Sequence, residues 1–285
     1  MASCGDTLLY IRKRLIAAGC DAPEMEADIL LALTLGVSRS RLLAMRSTSM
    51  PNDQLAKLEA LLARRVTHEP LAYVTGSMEF YGRSFDVEPG VLIPRVDTEV
   101  IVDATLEVAR AHPNPVLRIL DLGVGSGCIL LTLLAELPKA TGVGVDLSPL
   151  CLKVCSRNAE KLVVQSRVAL REGNWFEPLT GDEAFDLIVS NPPYVAEKDR
   201  ESLQPEVRDH EPPTALFAND DGLEHYRPIL SGAKARLQAN GAVILEVGFD
   251  QSKAVSDTAR HLGFEVETRR DTAGIERVVI ARMRG

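Results

Sequence analysis

Between residues 1 and 67 the apolar positions fall three and four apart, the spacing that gathers side chains on one face of a helix. Asp6 is placed to cap a first helix, whose apolar face includes Leu9 and Ile16 and which ends at Gly19. A second helix is predicted to start at Asp21–Glu24, with Pro23 early in it and Glu24 three residues after the cap. It carries Ile29, Leu30 and Leu33 on its core face and stops at Gly36. Pro51 opens another, with Leu55, Leu58, Leu62 and Val66 along one side. The stretch reads as a helical bundle without a convergent polar cluster, which suits docking better than catalysis.

From Glu69 to Pro94 the pattern changes. Phe80, Tyr81, Phe85 and Val87 lie around Gly82 and predict a hairpin bridging two domains. Asp97 is placed to cap a helix carrying Val100, Ala104 and Val108. Beyond Pro115, β-rich runs occur at 116–122, 141–145, 167–171, 185–190 and 242–247, the first three separated by helical stretches. That alternation predicts a mostly parallel sheet with helices on both faces. Two last runs, 264–268 and 277–281, are separated only by a short polar segment, which predicts an antiparallel strand closing one edge. The expected organisation is therefore α/β, with a helical bundle over 1–67, a hairpin linker over 68–96 and the main domain over 97–285.

Composition alters this picture little. Apolar residues make up 46% of the 285 and charged residues 25%, ample for a buried core. No apolar run is long enough to cross a bilayer. The first six residues lack a basic region followed by an apolar stretch, so no signal peptide is expected. Five cysteines form no even framework and the histidines are scattered, so neither disulfides nor a metal site is expected, and the cytoplasm is the expected compartment. The net charge of −8 argues against holding nucleic acid by phosphate neutralisation alone. Residues 1–65 carry nine Lys/Arg against seven Asp/Glu, a balance of +2 that leaves −10 for the remainder. That asymmetry fits a solvated helical surface or a mildly basic arm for an acidic partner.

Three constellations carry candidate chemistry. Asp121-Leu122-Gly123-Val124-Gly125-Ser126-Gly127 follows an apolar strand and opens a helix. It can be an ordinary strand-to-helix turn, or a turn whose glycines let the backbone approach a ligand. A dinucleotide fingerprint wants its third glycine at 128, which is Cys128, and no Lys-Ser/Thr follows for a P-loop. Gly142-Val143-Gly144-Val145-Asp146 ends the next strand in a carboxylate, which can cap the following helix or accept hydrogen bonds from a ribose. Together these two describe an adenosine site without a pyrophosphate cradle. The third, Asn191-Pro192-Pro193-Tyr194, follows the strand Phe185–Ser190. An amide nitrogen is a poor nucleophile because its lone pair is delocalised. A site that methylates it must accept both of its N–H groups and aim the nitrogen at a sulfonium methyl. The Asn191 side-chain oxygen and the Pro192 carbonyl are two such acceptors on a stiff turn, and Tyr194 supplies a flat face. Proximity and orientation then do most of the work.

At these residues the chain resembles the amino-methyltransferases that act on planar nitrogen and, more narrowly, the HemK/PrmC group of peptide-chain release factor glutamine methyltransferases. The similarity runs through Pro70–Gly76, Glu79–Gly82, Leu92–Arg95, Asp97–Glu99, Asn174–Phe176, Glu211-Pro212, Ala215–Phe217, Asp221–Leu223, Glu246–Gly248 with Gln251, and Asp271 to Arg277. It implies a seven-stranded, Rossmann-like, class I S-adenosylmethionine-dependent methyltransferase domain preceded by a small helical bundle and a β-hairpin linker. The implied reaction is N5-methylation of the glutamine in the Gly-Gly-Gln tripeptide of class I release factors. The implied roles are cofactor binding by Asp121, Leu122, Gly123, Val124, Gly125, Gly127, Asp146 and Asn191, with Trp175 beside the adenine. Asn191, Pro192, Pro193 and Tyr194 hold the substrate amide, and Asn191, Pro192 and Tyr194 are the catalytic group. The expected partner is the release factor, with no direct nucleic-acid or membrane binding, and the expected state is a monomer. The chain departs from the family at Val96, where proline is usual, and at His210, where an aromatic residue is common.

Three other readings share parts of the pattern. A glutamine methyltransferase for a ribosomal protein shares the nitrogen-binding turn. An adenine-N6 nucleic-acid methyltransferase also presents a planar amino group, though it would want a basic groove or a recognition insert. A non-catalytic cofactor-binding partner would have no need of Asn191–Tyr194.

Overall fold

The computed structural model describes residues 3–219 and 221–283. The chain forms two compact units, Met1–Ser77 with Gln204–His210, and Met78–Leu203 with Glu211–Gly285. Among the described residues no helix is long and apolar enough to cross a membrane.

The first unit begins with α1 (Cys4–Ala18), α2 (Pro23–Leu35), α3 (Arg39–Ala44), α4 (Asn52–Arg65) and α5 (Leu71–Thr75). Ser3 caps α1 by accepting from the Asp6 N–H, and Asp6 returns the bond to Ser3, so the cap is a reciprocal box rather than Asp6 alone. The buried face of α1 is Cys4, Thr7, Leu8, Ile11 and Leu15. Leu9 and Ile16, expected on that face, are 57% and 58% exposed. Each lies one residue, or about 100°, beyond the stronger ridge formed by Leu8 and Leu15. Asp21 does not cap α2, whose Ala22 start has no side-chain bond, and Leu33 faces out while Leu30 and Leu31 face in.

Arg65, at the end of α4, is fully buried in this unit. Its Nε donates to Glu26 at 2.7 Å and its Nη2 to the same carboxylate at 3.0 Å, a fork-to-fork pair. The Nη2 also meets Glu206, and Nη1 donates to the Glu69 carbonyl at 3.2 Å.

The strands β1 (Ser77–Phe80), all but its first residue in the second unit, and β2 (Arg83–Asp86) pair as a hairpin whose turn, Tyr81-Gly82, has positive φ at both residues. Phe80 and Phe85 meet edge to face at 6.0 Å. A 3₁₀ turn, Val96–Thr98, leads into α6 (Glu99–Ala111). Asp97 does not cap α6; its carboxylate pairs with Arg277 at 3.3 Å. The chain then runs β3 (Arg118–Leu122), α7 (Cys128–Glu136), β4 (Thr141–Asp146), α8 (Pro149–Lys161), β5 (Val168–Glu172), β6 (Phe185–Ser190) and β7 (Val195–Ala196). Helix α9 (Pro205–His210) belongs to the first unit. The remainder is α10 (Pro213–Leu216), β8 (Phe217–Ala218), α11 (Tyr226–Lys234), β9 (Leu237–Glu246), α12 (Ser252–His261), β10 (Phe264–Arg270) and β11 (Glu276–Met283).

Seven strands form one sheet in the order β10-β11-β9-β6-β3-β4-β5. From β9 to β5 neighbours are parallel, while β11 is antiparallel to both β9 and β10. The reversed strand therefore lies one in from the edge, not at it. A short turn makes β10 and β11 neighbours, and the more apolar β11 takes the covered position against β9. Helices cover both faces, with Leu187 and Val189 of β6 in one core and Phe185 and Ile188 in the other.

Removing one partner of a buried ion pair leaves the other charge uncompensated. Arg65→Ala is therefore expected to destabilise the first unit by about 3–5 kcal/mol, read as a lower denaturant midpoint for the transition of that unit. A loss within about 0.5 kcal/mol, the scale of ordinary surface changes, would show that the pair is not held as described.

Candidate active site

The register of the sheet aligns four functional positions. Leu122 pairs with Val145 on one side and Ser190 on the other, and Ser190 pairs with Leu245. One residue further along stand Gly123, Asp146, Asn191 and Glu246, at the carboxyl edge where open α/β sheets hold ligands. A cavity opens there. Its walls include Gly123–Ser126, Val145–Ser148, Gly173–Trp175, Asn191, Pro193, Leu92–Arg95, Thr98, Thr214, Ala215 and His225.

The glycine turn folds tightly against β4. Gly123, Gly125 and Gly127 take φ of 77°, 53° and 84°. The N–H groups of Gly123 and Val124 both reach the Val145 carbonyl, at 2.9 and 3.0 Å. A Cβ on Gly144 would lie 2.9 Å from Val124, so β4 needs glycine there. Asp146 accepts from the Gly125 N–H at 2.8 Å through one oxygen and from the Ser148 N–H at 2.9 Å through the other. Burial raises its pKa, against the lowering effect of those two bonds. Each oxygen retains lone-pair capacity for a further donor.

Gly123, Val124, Gly125, Asp146, Trp175, Asn191 and Pro193 thus line one cavity, whereas Asp121, Leu122, Gly127, Pro192 and Tyr194 do not. Asp121 and Leu122 end β3 beneath it, and Gly127 is the N-cap of α7. Neither Asp121 oxygen has a hydrogen-bond partner, and burial, with Asp146 nearby, pushes its carboxyl up to about 8. Trp175 takes a φ of 46° and sets its ring 5.4 Å from that of His225.

The Asn191 Nδ2 donates to the Thr98 hydroxyl at 3.3 Å, which leaves the amide oxygen as the acceptor of the turn. Ser190 donates to the Leu122 carbonyl at 2.6 Å, fixing the turn to β3. Tyr194 packs partly buried on the core; its hydroxyl lies 3.5 Å from Glu246, and its carbonyl accepts from Gln251 at 2.9 Å. Gly222 completes this support, because a Cβ there would fall 2.4 Å from the Tyr194 carbonyl oxygen.

Several of these residues were not assigned from sequence. Arg95 stands close in sequence to the acidic Asp97 and Glu99, but its partner is Glu211, which also accepts from the Ile93 N–H at 3.2 Å. Glu99 instead accepts from the Tyr81 N–H at 2.6 Å. Thr98 and His225 gave no local signal; both become visible only once distant segments meet.

A seven-stranded sheet with this edge, a glycine turn and an acidic second strand end define a class I methyltransferase fold. The family described as the PrmC N-terminal domain matches residues 6–76, and the methyltransferase small domain matches residues 101–206. The release factor glutamine methyltransferase of Geobacter sulfurreducens is 43% identical over 275 residues, covering 96% of this chain and 94% of its own. The bifunctional methyltransferase of Rickettsia conorii is 38% identical over 92% of this chain, which spans 54% of that longer protein. Among solved structures, the hMettl16 catalytic domain in complex with an RNA hairpin shares the fold, with a TM-score of 0.55, 18% identity and coverage of 81% of this chain and 82% of its own. The chain belongs to the release factor glutamine methyltransferase family.

Asp121 carries a pH dependence whose sign follows from its raised pKa. Below its ordinary value of 3.8 the carboxyl is neutral in both folded and unfolded chains. Between 3.8 and about 8 only the unfolded chain ionises, so folding loses stability as pH rises through that window. Asp121→Asn is expected to raise the melting temperature, and to raise it more at pH 8 than at pH 5. Equal shifts at both values would mean the carboxyl is not desolvated.

Proposed function

We propose that the chain transfers a methyl group from S-adenosylmethionine to the side-chain amide nitrogen, N5, of the glutamine in the Gly-Gly-Gln tripeptide of class I release factors. The observation that carries this is Asn191, its NH2 engaged by Thr98 and its oxygen free, in register with Gly123 and Asp146. Sequence identity to release factor glutamine methyltransferases over nearly the whole chain supports the substrate.

The residues present fit the cofactor. Asp146 has acceptor capacity for ribose hydroxyls, Trp175 offers an aromatic wall, and the turn from Gly123 to Gly125 gives close backbone approach. Asp121 is buried beneath it with two unpartnered oxygens, and a cationic ligand above it would favour its ionised form. When bound, S-adenosylmethionine supplies an activated methyl group.

The protein's own contribution is orientation. Asn191 Oδ1 and the Pro192 carbonyl accept the two N–H groups of the glutamine amide, turning its nitrogen face to the donor. Tyr194, fixed at both its hydroxyl and its carbonyl, flanks the amide. Pro192 and Pro193 stiffen the turn so that no ordering is needed during reaction. We assign the first unit to docking of the protein substrate, on its exposed apolar side chains Leu9, Ile16 and Leu43.

The deciding assay offers labelled S-adenosylmethionine with an intact release factor, its glutamine-substituted variant, a short Gly-Gly-Gln peptide, ribosomal proteins and nucleic acid. Label in the intact factor alone among the macromolecules supports the reading, and weaker labelling of the peptide supports docking. Label in ribosomal protein or nucleic acid instead overturns the substrate. Asn191→Ala is expected to abolish transfer while largely sparing cofactor affinity; near-normal turnover would remove it from the mechanism. Asp146→Ala is expected to weaken cofactor binding by about 1.5–3 kcal/mol, measured by titration calorimetry, and unchanged affinity would take the ribose role away from it.

A further inference from the structure

The segment before α6 walls one side of the cavity with Leu92, Ile93, Pro94 and Arg95. It starts beside α8, where a Cβ on Gly90 would fall 2.9 Å from Leu150. It ends at Thr98, which accepts from Asn191 at 3.3 Å and whose N–H donates to the Arg95 carbonyl at 3.1 Å. Among the described residues lining the cavity, Arg95 is the only lysine or arginine and Asp146 the only carboxylate. The Arg95 Nη2 donates to Glu211, which is 3% exposed and whose other oxygen accepts from the Ile93 N–H at 3.2 Å. A guanidinium has five N–H donors, and this pair takes one, while the side chain stays 37% exposed. The reaction proposed above gives Arg95 no task.

A glycine turn ahead of a helix ordinarily offers backbone donors to an anion. Here those donors are engaged: Gly123 and Val124 give their N–H groups to the Val145 carbonyl, and Gly125 gives its own to Asp146. S-adenosylmethionine brings one anionic group, the carboxylate of its amino-acid end. Taken out of water, that group needs a cation or hydrogen-bond donors, which the Asp146 carboxylate does not offer. An arginine supplies both from one side chain, in a planar fork that matches a carboxylate. Resting on the reading of S-adenosylmethionine as the methyl donor, we propose that Arg95 binds the carboxylate of the cofactor's amino-acid end and that Glu211 is the positioning residue that holds its guanidinium in the wall.

Glu211 ties the arginine to the backbone two residues before it, through Ile93, and leaves the remaining donors of the fork for a ligand. The two charged side chains of the wall then hold opposite ends of one cofactor, ribose at Asp146 and carboxylate at Arg95. An adenosine compound without the carboxylate keeps the first hold and loses the second. The selection acts on binding, so it is present before any methyl acceptor arrives.

The test is titration calorimetry of the full chain with S-adenosylmethionine and with its decarboxylated form, which keeps the adenosine, sulfonium and ammonium groups and lacks only the carboxylate. Arg95→Gln is expected to weaken S-adenosylmethionine by about 10- to 100-fold, the scale of hydrogen bonds to a charged group, and to leave the decarboxylated form little changed. Glu211→Gln is expected to weaken S-adenosylmethionine in the same selective way but by less, and an unchanged ratio there would take the positioning role from it. Because Arg95→Gln leaves Glu211 buried without its cation, the double variant Arg95→Gln/Glu211→Gln keeps the test open if the single one does not fold, as thermal melting will tell. Equal weakening of both ligands would make Arg95 a part of the wall only and overturn the proposal. A wild type that binds neither ligand overturns the cofactor reading and this inference with it. A wild type that binds S-adenosylmethionine, with the ratio of the two affinities unmoved in a folded Arg95→Gln, overturns this inference alone.

Discussion

The site depends on β6 lying between β3 and β9 in a single register. Leu187 and Val189 point into one core and Phe185 and Ile188 into the other. A slip of one residue would send each set to the opposite face, so both cores resist it. The Ser190 hydroxyl, bonded to the Leu122 carbonyl at 2.6 Å, locks the same register at the strand end. Asn191 therefore needs no loop flexibility to find Gly123 on one side and Glu246 on the other. The turn beyond β6 inherits the precision of the most buried strand in the molecule.

That precision has an electrostatic consequence. Three carboxyls, the buried Asp121 and Glu246 and the half-buried Asp146, collect at one edge of the sheet, and desolvation raises the pKa of each. Their support is unequal. Asp146 takes two backbone N–H groups, and Glu246 has Arg277 and Thr98 near it, whereas Asp121 has no hydrogen-bond partner. Such groups disfavour the folded chain on their own, and perturbed carboxyls of this kind gather where ligands bind. A cationic ligand at this edge would favour their ionised forms, most strongly where the local dielectric is low.

What was legible in the sequence was local. The glycine turn, Asp146 and Asn191–Tyr194 each sit at the end of an apolar run, so strand pattern and turn chemistry disclose them together. The sheet was legible for the same reason, apart from its edge, where two adjacent strands could be ordered either way and the covering of β11 decided. In α1 the apolar residues outnumber one face, so spacing alone did not choose between Leu8 and Leu9. The supports of the site were hidden by distance. Thr98 meets Asn191 across 93 residues, Arg95 meets Glu211 across 116, and Tyr194 meets Glu246 across 52. Arg95 beside two acidic neighbours invites a local pairing that the fold declines.

The segment after the turn was the least legible and constrains the chain most. Val195 and Ala196 pair with Phe217 and Ala218, so the chain leaves and returns at one place, and Arg200 lies 3.9 Å over the Phe217 ring to close the base. Between these points Gln204–His210 folds with the first unit, where Glu206 meets Arg65 and Gln204 reaches Asp21 at 3.4 Å. The Glu26–Arg65 pair forms from nearby chain, but the second carboxylate arrives 141 residues later in sequence. The charge network around Arg65 therefore draws on chain far beyond residue 77. Since a buried arginine is secure only when its donors are satisfied, the helical unit is complete only with a piece of chain that begins ten residues after Tyr194 and ends one residue before Glu211.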